Sequence, residues 1–116
     1  MEDQTEASLY AQYLAERTED SIIETEVGFA SYRYLNQGKS VYIVDIYVSP
    51  KQRKEGLASL MADKVASIAK EKGCTELLGS VVPSAKGSTT SLKVLLGYGM
   101  TLLSASNDFI VFRKDI

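Results

Sequence analysis

The stretch SVYIVDIYV is the feature that most limits how this chain can fold. It runs from Ser40 to Val48 and consists almost entirely of β-branched and aromatic residues, which is typical of a β-strand. Strict alternation would place one set of side chains on one face and the other set opposite: Tyr42, Val44, Ile46 and Val48 against Val41, Ile43, Asp45 and Tyr47. Because both faces are mostly apolar, we expect protein to cover both of them.

The residues that follow complete a strand–helix–strand unit. Apolar residues at helical spacing predict a helix over 57–72, and TELLGSVV predicts a further strand over 75–82. Such units pair their strands in parallel through a right-handed crossover. The other segments predict an N-terminal amphipathic helix, two extended segments in SIIETEVGFASYRYL, a short helix in TTSLKVLLGYG and a terminal hairpin in MTLLSASNDFIVFRK. We therefore expect an α/β (α+β) fold with a mixed, mostly antiparallel sheet, a central parallel unit and helices on both faces.

Length and composition favour one domain over residues 1–116. The chain is 45% hydrophobic and 24% charged, which suits a globular domain with one core. It has no apolar run near the ~20 residues that a membrane span needs. The start, MEDQTEASLY, is acidic and lacks the basic and apolar regions of a signal peptide, so a cytoplasmic protein is expected. A sequence pI near 5.1 and the lack of an aromatic-basic stripe argue against nucleic-acid binding.

The absence of histidine narrows the chemistry. It excludes Ser–His and Cys–His nucleophile pairs and the usual zinc sites, so no metal site is predicted. Acid–base work would fall to Asp, Glu, Tyr, Lys or water. Cys74 is the only cysteine and is expected to be a buried structural thiol.

Charge is distributed unevenly along the chain. Residues 1–26 hold eight acidic residues and one basic residue, whereas residues 27–116 hold seven acidic and twelve basic ones. Such asymmetry can separate a surface for cations from a surface for anions, although solvated faces would also account for most of these charges.

The turn SPKQRKEGLAS joins the strongest strand to the following helix. A helix N-terminus attracts anions through its N–H groups, and Gly56 lets a ligand approach the backbone closely. Arg53 and Lys54 add full positive charges just before it. Together these features predict a pyrophosphate site, although basic turns of this kind also occur without a ligand. The sequence matches neither the Walker pattern nor GxGxxG.

The segment VDIYVSPKQRKEGLASLM resembles the central motif of the GNAT superfamily of N-acetyltransferases. That motif is a strand ending in hydrophobic-x-Val-x-Pro, followed by Arg/Gln-x-x-Gly-x-Gly/Ala and a helix. Residues 46–50 and 53–58 fill it at the expected spacing. Upstream, EVGFASY looks like the preceding strand of the family, and LKVLLGYGM looks like its later helix. The resemblance covers roughly residues 21–116.

The resemblance implies binding of acetyl-CoA and transfer of its acetyl group to a primary amine by direct attack. It implies that the pantetheine arm lies along Ile46, Tyr47 and Val48. It also assigns the diphosphate to the backbone of the turn and helix start, at Arg53, Lys54, Glu55, Gly56, Leu57, Ala58 and Ser59. Ser88 stands where the family usually has an Asn that contacts the cofactor.

Catalytic roles are less closely defined by the sequence. Asp45 is the leading candidate for the base, with Glu24 and Glu26 as weaker alternatives. Related proteins often carry a Tyr that protonates the leaving thiolate, but Leu95 stands there, and Tyr98, one helical turn on, is either its substitute or a core aromatic. The chain also resembles a family member shortened at the acceptor side.

Two function classes therefore stay open. The first is an N-acetyltransferase acting on a small-molecule or protein amine. The second is a non-catalytic module of degenerate GNAT type that binds coenzyme A or a partner protein. Homodimerisation is compatible with either class.

Overall fold

The computed structural model describes residues 8–53 and 55–116. The helices are α1 (Leu9–Arg17), α2 (Leu57–Glu71) and α3 (Ser88–Gly97). The strands are β1 (Ser21–Thr25), β2 (Gly28–Leu35), β3 (Ser40–Val48), β4 (Glu76–Val81), β5 (Thr101–Ser106) and β6 (Phe109–Asp115). Short 3₁₀ turns cover Asn36–Gly38 and Pro50–Gln52.

The six strands form one mixed sheet in the order β1-β2-β3-β4-β6-β5. The β3–β4 pair is parallel, with α2 as the crossover, and the other four pairs are antiparallel. The expected mixed sheet around a parallel unit is therefore confirmed. The terminal hairpin also forms, and β6 inserts between β4 and β5.

Helices cover both faces of the sheet, as expected. Met61 and Val65 of α2 pack with Val41 and Leu77 in the buried core. α3 lies over the same face, because Leu95 reaches to 3.2 Å of the position that a Cβ on Gly79 would take. On the opposite face, the α1 residue Tyr10 makes an edge-to-face contact with Phe29 of β2, with ring centroids 5.5 Å apart. The layers are thus α1, sheet, and α2 with α3.

A β-bulge at Val44 overturns the expected division of β3 into two faces. Ser31 of β2 pairs with Asp45, but the next residue, Tyr32, pairs with Ile43, so Val44 is the extra residue. Residues directly opposite in an antiparallel pair share a face. Ile43 and Ile46 therefore both join the core face, whereas strict alternation had separated them.

The other face of β3 is open toward its C-terminal end. Asp45 is exposed, and Tyr47 keeps 47% of its surface accessible. The expectation that protein covers both faces of this strand is wrong at these positions. By contrast, β2 and β3 lie so close at Gly28 that only glycine fits there, because a Cβ would lie 2.0 Å from the Tyr47 carbonyl oxygen.

Cys74 is buried, as expected, and its thiol donates to the Gly38 carbonyl oxygen at 3.2 Å. Burial raises the pKa of this thiol, which keeps it protonated and unreactive. No helix in the described part of the chain is both long and apolar enough to cross a membrane.

Candidate functional site

The parallel strands β3 and β4 separate after a short ladder. Their pairing runs from Ser40 with Glu76 to Tyr42 with Leu78 and extends no further in the described residues. Beyond this fork, residues 43 and 45–48 pair with β2 on one side, and no strand of the described chain pairs with their other edge. A groove of about 920 Å³ opens at the fork between β3, the start of α2 and α3.

Most of the residues proposed from the sequence line this groove together. They are Asp45, Ile46, Tyr47, Val48, Arg53, Gly56, Leu57, Ala58, Ser59 and Tyr98. A polypeptide edge with unpaired N–H and C=O groups can accept an extended amide-containing ligand in the manner of an added strand. The position of residues 46–48 therefore fits the expected pantetheine contact.

The start of α2 has the features of an anion site. Gly56 takes a left-handed conformation with φ of 77°, and no side chain caps the helix within the described residues. The first intrahelical bond runs from the Leu60 amide to the Gly56 carbonyl, so the amides of residues 57–59 lack intrahelical acceptors. A Cβ built on Gly56 would meet nothing within 4 Å. The backbone is therefore open to a close-lying phosphate group.

Arg53 holds the turn against the end of β3. Its Nε donates to the Val48 carbonyl oxygen at 2.9 Å, and its guanidinium lies 5.4 Å from the centroid of the Tyr47 ring. Glu55 is exposed and lies outside the lining of the groove. Lys54 lies outside the described residues. Among the described residues, the free amides of the helix start and the Arg53 guanidinium are the groups suited to an anion here.

A second helix begins at the same groove. Gly87 is a left-handed cap for α3 with φ of 81°, and it lines the groove with Lys86, Thr90 and Ser91. Ser88 does not line it, because its hydroxyl donates to the Pro83 carbonyl oxygen at 2.7 Å. The sequence analysis missed Thr90 and Ser91, although the run STTS after a glycine was the available signal.

Asp45 lies on the α1 face of the fork, opposite Ser31. Desolvation, followed by the negative charge of Asp20, raises the pKa of the Asp45 carboxyl above its ordinary value. Asp20 is itself held by Arg33, whose Nε donates to Oδ1 at 2.6 Å. A carboxylate with a raised pKa beside an open groove is suited to accept a proton.

The two weaker candidates for the base lie elsewhere. Glu24 accepts a hydrogen bond from the Ser8 hydroxyl at 2.6 Å, and Glu26 is exposed in the turn before β2. Neither residue lines the groove. Of the three proposed carboxylates, Asp45 is the one that the fold brings to the fork.

Tyr98 lines the groove, but its hydroxyl is already engaged. It donates to Oδ1 of Asp63 on α2 at 2.5 Å. Desolvation, and then this hydrogen bond and the Asp63 charge, raise the pKa of the Tyr98 phenol. The ring also packs against the core cluster. Tyr98 thus combines a core contact with a polar one, and its predicted role as an acid stays a prediction.

The chain is similar to known proteins in both sequence and fold. A family model described as "Acetyltransferase (GNAT) family" matches residues 2–89. The chain belongs to the GNAT acetyltransferase family. Mouse thialysine N-epsilon-acetyltransferase is 32% identical over 92 residues, which cover 77% of this chain and 52% of the mouse protein. This GNAT chain therefore spans about half the length of that curated relative.

Solved structures share the fold at low identity. A putative GNAT acetyltransferase from Desulfovibrio desulfuricans has a TM-score of 0.74 and 14% identity, with coverage of 90% of this chain and 75% of that one. The PaiA N-acetyltransferase from Thermoplasma acidophilum, solved in complex with coenzyme A, has a TM-score of 0.72 and 12% identity, with coverage of 90% and 66%. These similarities establish the GNAT fold of the sheet and helices.

Proposed function

We propose that this GNAT chain is an N-acetyltransferase that transfers the acetyl group of acetyl-CoA to a primary amine by direct attack. One observation carries the proposal. A single groove joins the uncapped start of α2, the unpaired edge of β3 and the carboxylate of Asp45. An anion site, a strand-like binding edge and a proton acceptor thus follow one another along one path.

The residues of the groove fit acetyl-CoA. The amides of Leu57, Ala58 and Ser59 hold the diphosphate, and the open space at Gly56 lets it approach. The backbone of residues 46–48 holds the pantetheine amides, except for the Val48 carbonyl oxygen, which already accepts a hydrogen bond from Nε of Arg53. Thr90 and Ser91 add hydroxyl groups from the α3 side. When bound, acetyl-CoA supplies the activated acetyl group.

Asp45 accepts the proton that the amine loses as it attacks. Its raised pKa makes it a stronger base than an ordinary carboxylate, and its exposure allows exchange of that proton with water. In this scheme the departing sulfur takes its proton from solvent, because the Tyr98 hydroxyl is donated to Asp63.

We infer that the acceptor is a small amine that is cationic in solution. Asp45 and Asp20 lie on the same side of the fork, and the acidic residues of positions 16–26 belong to α1, β1 and their flanks, on the β3 side of the fork. Such a field concentrates cations. The relative named for thialysine acts on an amine of this kind, which favours a small acceptor over a protein amine.

The groove suits either function class, but the named acetyltransferase relatives and the Asp45 carboxylate at the groove favour the enzyme over the non-catalytic alternative. The cytoplasmic location stays a prediction from sequence.

We also infer a homodimer formed through β5. All six residues of this edge strand are exposed, and the strand contains neither charge nor proline, so that a bulge at Leu103 is the one feature of the strand that opposes edge pairing. Leu102 and Leu103 are 61% and 50% exposed on it.

The experiment that tests the activity is incubation with acetyl-CoA and a panel of amines, following free thiol and the mass of the product. The panel contains thialysine, lysine, a polyamine and a lysine-containing peptide. We expect thiol release that depends on the amine, with the acetylated small amine as product. Coenzyme A binding without thiol release for any amine would instead support the non-catalytic module.

A further inference from the structure

Tyr98 connects three elements around the groove. Its hydroxyl donates to Asp63 of α2 at 2.5 Å, and its carbonyl oxygen accepts a hydrogen bond from Nζ of Lys114 on β6 at 2.8 Å. The same Nζ lies 4.1 Å from the centroid of the Tyr98 ring, which is a cation–π contact. Tyr98 itself follows the last residue of α3 as its C-cap.

The α3 wall of the groove is otherwise lightly attached. None of the ten residues of α3 is buried. Leu92 and Leu95 are partly buried against the core, and Leu95 fills the space above Gly79. Within residues 8–53 and 55–116, the Tyr98–Asp63 hydrogen bond is a polar link between the end of α3 and α2, the helix that forms the opposite wall. This hydrogen bond therefore ties the two walls together directly.

We propose that Tyr98 is a positioning residue that fixes α3 relative to α2, so that the groove is preformed for coenzyme A. The proposal rests on the proposed function in one respect, namely that coenzyme A occupies the groove. It gives Tyr98 a role different from that of a proton donor to sulfur. A wall that is already ordered costs less entropy to hold when the ligand binds.

The two roles predict opposite kinetic results for Tyr98→Phe, which keeps the ring and removes the hydroxyl. A positioning role predicts that the Kd for coenzyme A, measured by calorimetry, and the KM for acetyl-CoA rise about three- to tenfold, with kcat within about twofold of wild type. An acid role predicts that kcat falls by roughly 10²–10⁴-fold, that the alkaline limb of the pH profile changes and that the Kd stays the same.

Variants at Asp63 make the test specific. Asp63→Ala should weaken binding as much as Tyr98→Phe, and the double variant should be no weaker than either single one, because both changes remove the same link. Asp63→Asn keeps an acceptor oxygen and should bind close to wild type. Tyr13→Phe, in an exposed part of α1 outside the groove, is the matched control.

The calorimetric arm separates this proposal from the proposed function. If wild type binds coenzyme A but transfers no acetyl group, the activity proposal fails and the binding comparison still tests Tyr98. If Tyr98→Phe and Asp63→Ala both bind as wild type does, the positioning role is overturned. A large loss of kcat at unchanged Kd in Tyr98→Phe alone would overturn it in favour of the acid. Should Tyr98→Phe fail to fold, the comparison of Asp63→Ala with Asp63→Asn decides.

Discussion

Asp20 acts electrostatically on Asp45: its negative charge adds to desolvation in raising the pKa of the Asp45 carboxyl. The two residues come from different segments, since Asp20 precedes β1 and Asp45 lies on β3. Arg33 binds Asp20 through two hydrogen bonds and so moderates this influence. The pKa of the proposed base is thus raised first by desolvation and then by Asp20, a residue that does not itself line the groove.

The Asp45→Asn variant should lose activity and keep coenzyme binding. Removing a general base is expected to lower kcat by roughly 10²–10⁴-fold. Because a carboxyl whose folded-state pKa is raised costs stability once it ionises, the variant should also be more stable than wild type at neutral pH. That difference should shrink as the pH falls through the folded-state pKa. Steady-state kinetics and thermal unfolding at several pH values check both parts, with Glu26→Gln as the exposed control. An active variant with a normal pH profile would return Asp45 to a structural role.

The acidic limb of the kcat/KM profile should move when the neighbouring charge pair is altered. The base works when deprotonated, so a higher Asp45 pKa moves this limb to higher pH. Asp20→Asn removes a negative charge and should move it to lower pH. Arg33→Gln frees the Asp20 charge and should move it to higher pH. Shifts in the same direction, or none, would show that the limb does not report Asp45.

The Gly56→Glu variant should weaken binding of acetyl-CoA by at least an order of magnitude, about 1.4 kcal/mol or more. The new carboxylate would lie at the amides proposed to hold the diphosphate. Gly56→Ala carries the same left-handed strain without the charge, and Gly73→Glu places a carboxylate at another left-handed glycine with open space around it. Calorimetry on all three separates charge from strain. Equal affinity in folded Gly56→Glu and wild type would remove the site from this turn.

Neutralising the acidic segment should slow the capture of a cationic amine. Glu16, Glu19, Glu24 and Glu26 are changed together to glutamine, while Asp20 is kept because it pairs with Arg33. We expect kcat/KM for the best amine to fall several-fold at low salt and to lose most of its salt dependence, since screening acts on long-range attraction. The kinetics are measured across a salt series. A wild type without salt dependence, matched by the variant, would contradict electrostatic steering.

The Leu103→Lys variant should be monomeric if two copies pair through β5. A charge on an exposed edge strand opposes strand addition. Sedimentation velocity of wild type should give a dimer, and the variant should sediment as a monomer. Leu9→Lys changes an equally apolar residue, 83% exposed on α1, and should stay dimeric. A monomeric wild type at tens of micromolar would contradict the proposed assembly.

Local patterns in the sequence were sufficient to predict strand β3, helix α2 and the turn between them. The β-branched run of β3 and the helical spacing after Gly56 depend on interactions between residues close in the chain, and the structure confirms both elements. The left-handed Gly56 at the start of α2 follows from the same local chemistry, because glycine takes positive φ without penalty.

The tertiary structure decided how these elements meet. The bulge at Val44 arises from pairing with β2 and turns the second half of β3 over, which no periodicity within the strand reveals. The fork depends on where β3 and β4 stop pairing, and the Tyr98–Asp63 bond joins residues 35 positions apart. Side-chain spacing records the local backbone period, whereas register, desolvation and charge pairing depend on which distant segments pack together. For this reason the sequence by itself determined the strand, the turn and the helix, and the packed fold determined the groove, the environment of Asp45 and the contacts of Tyr98.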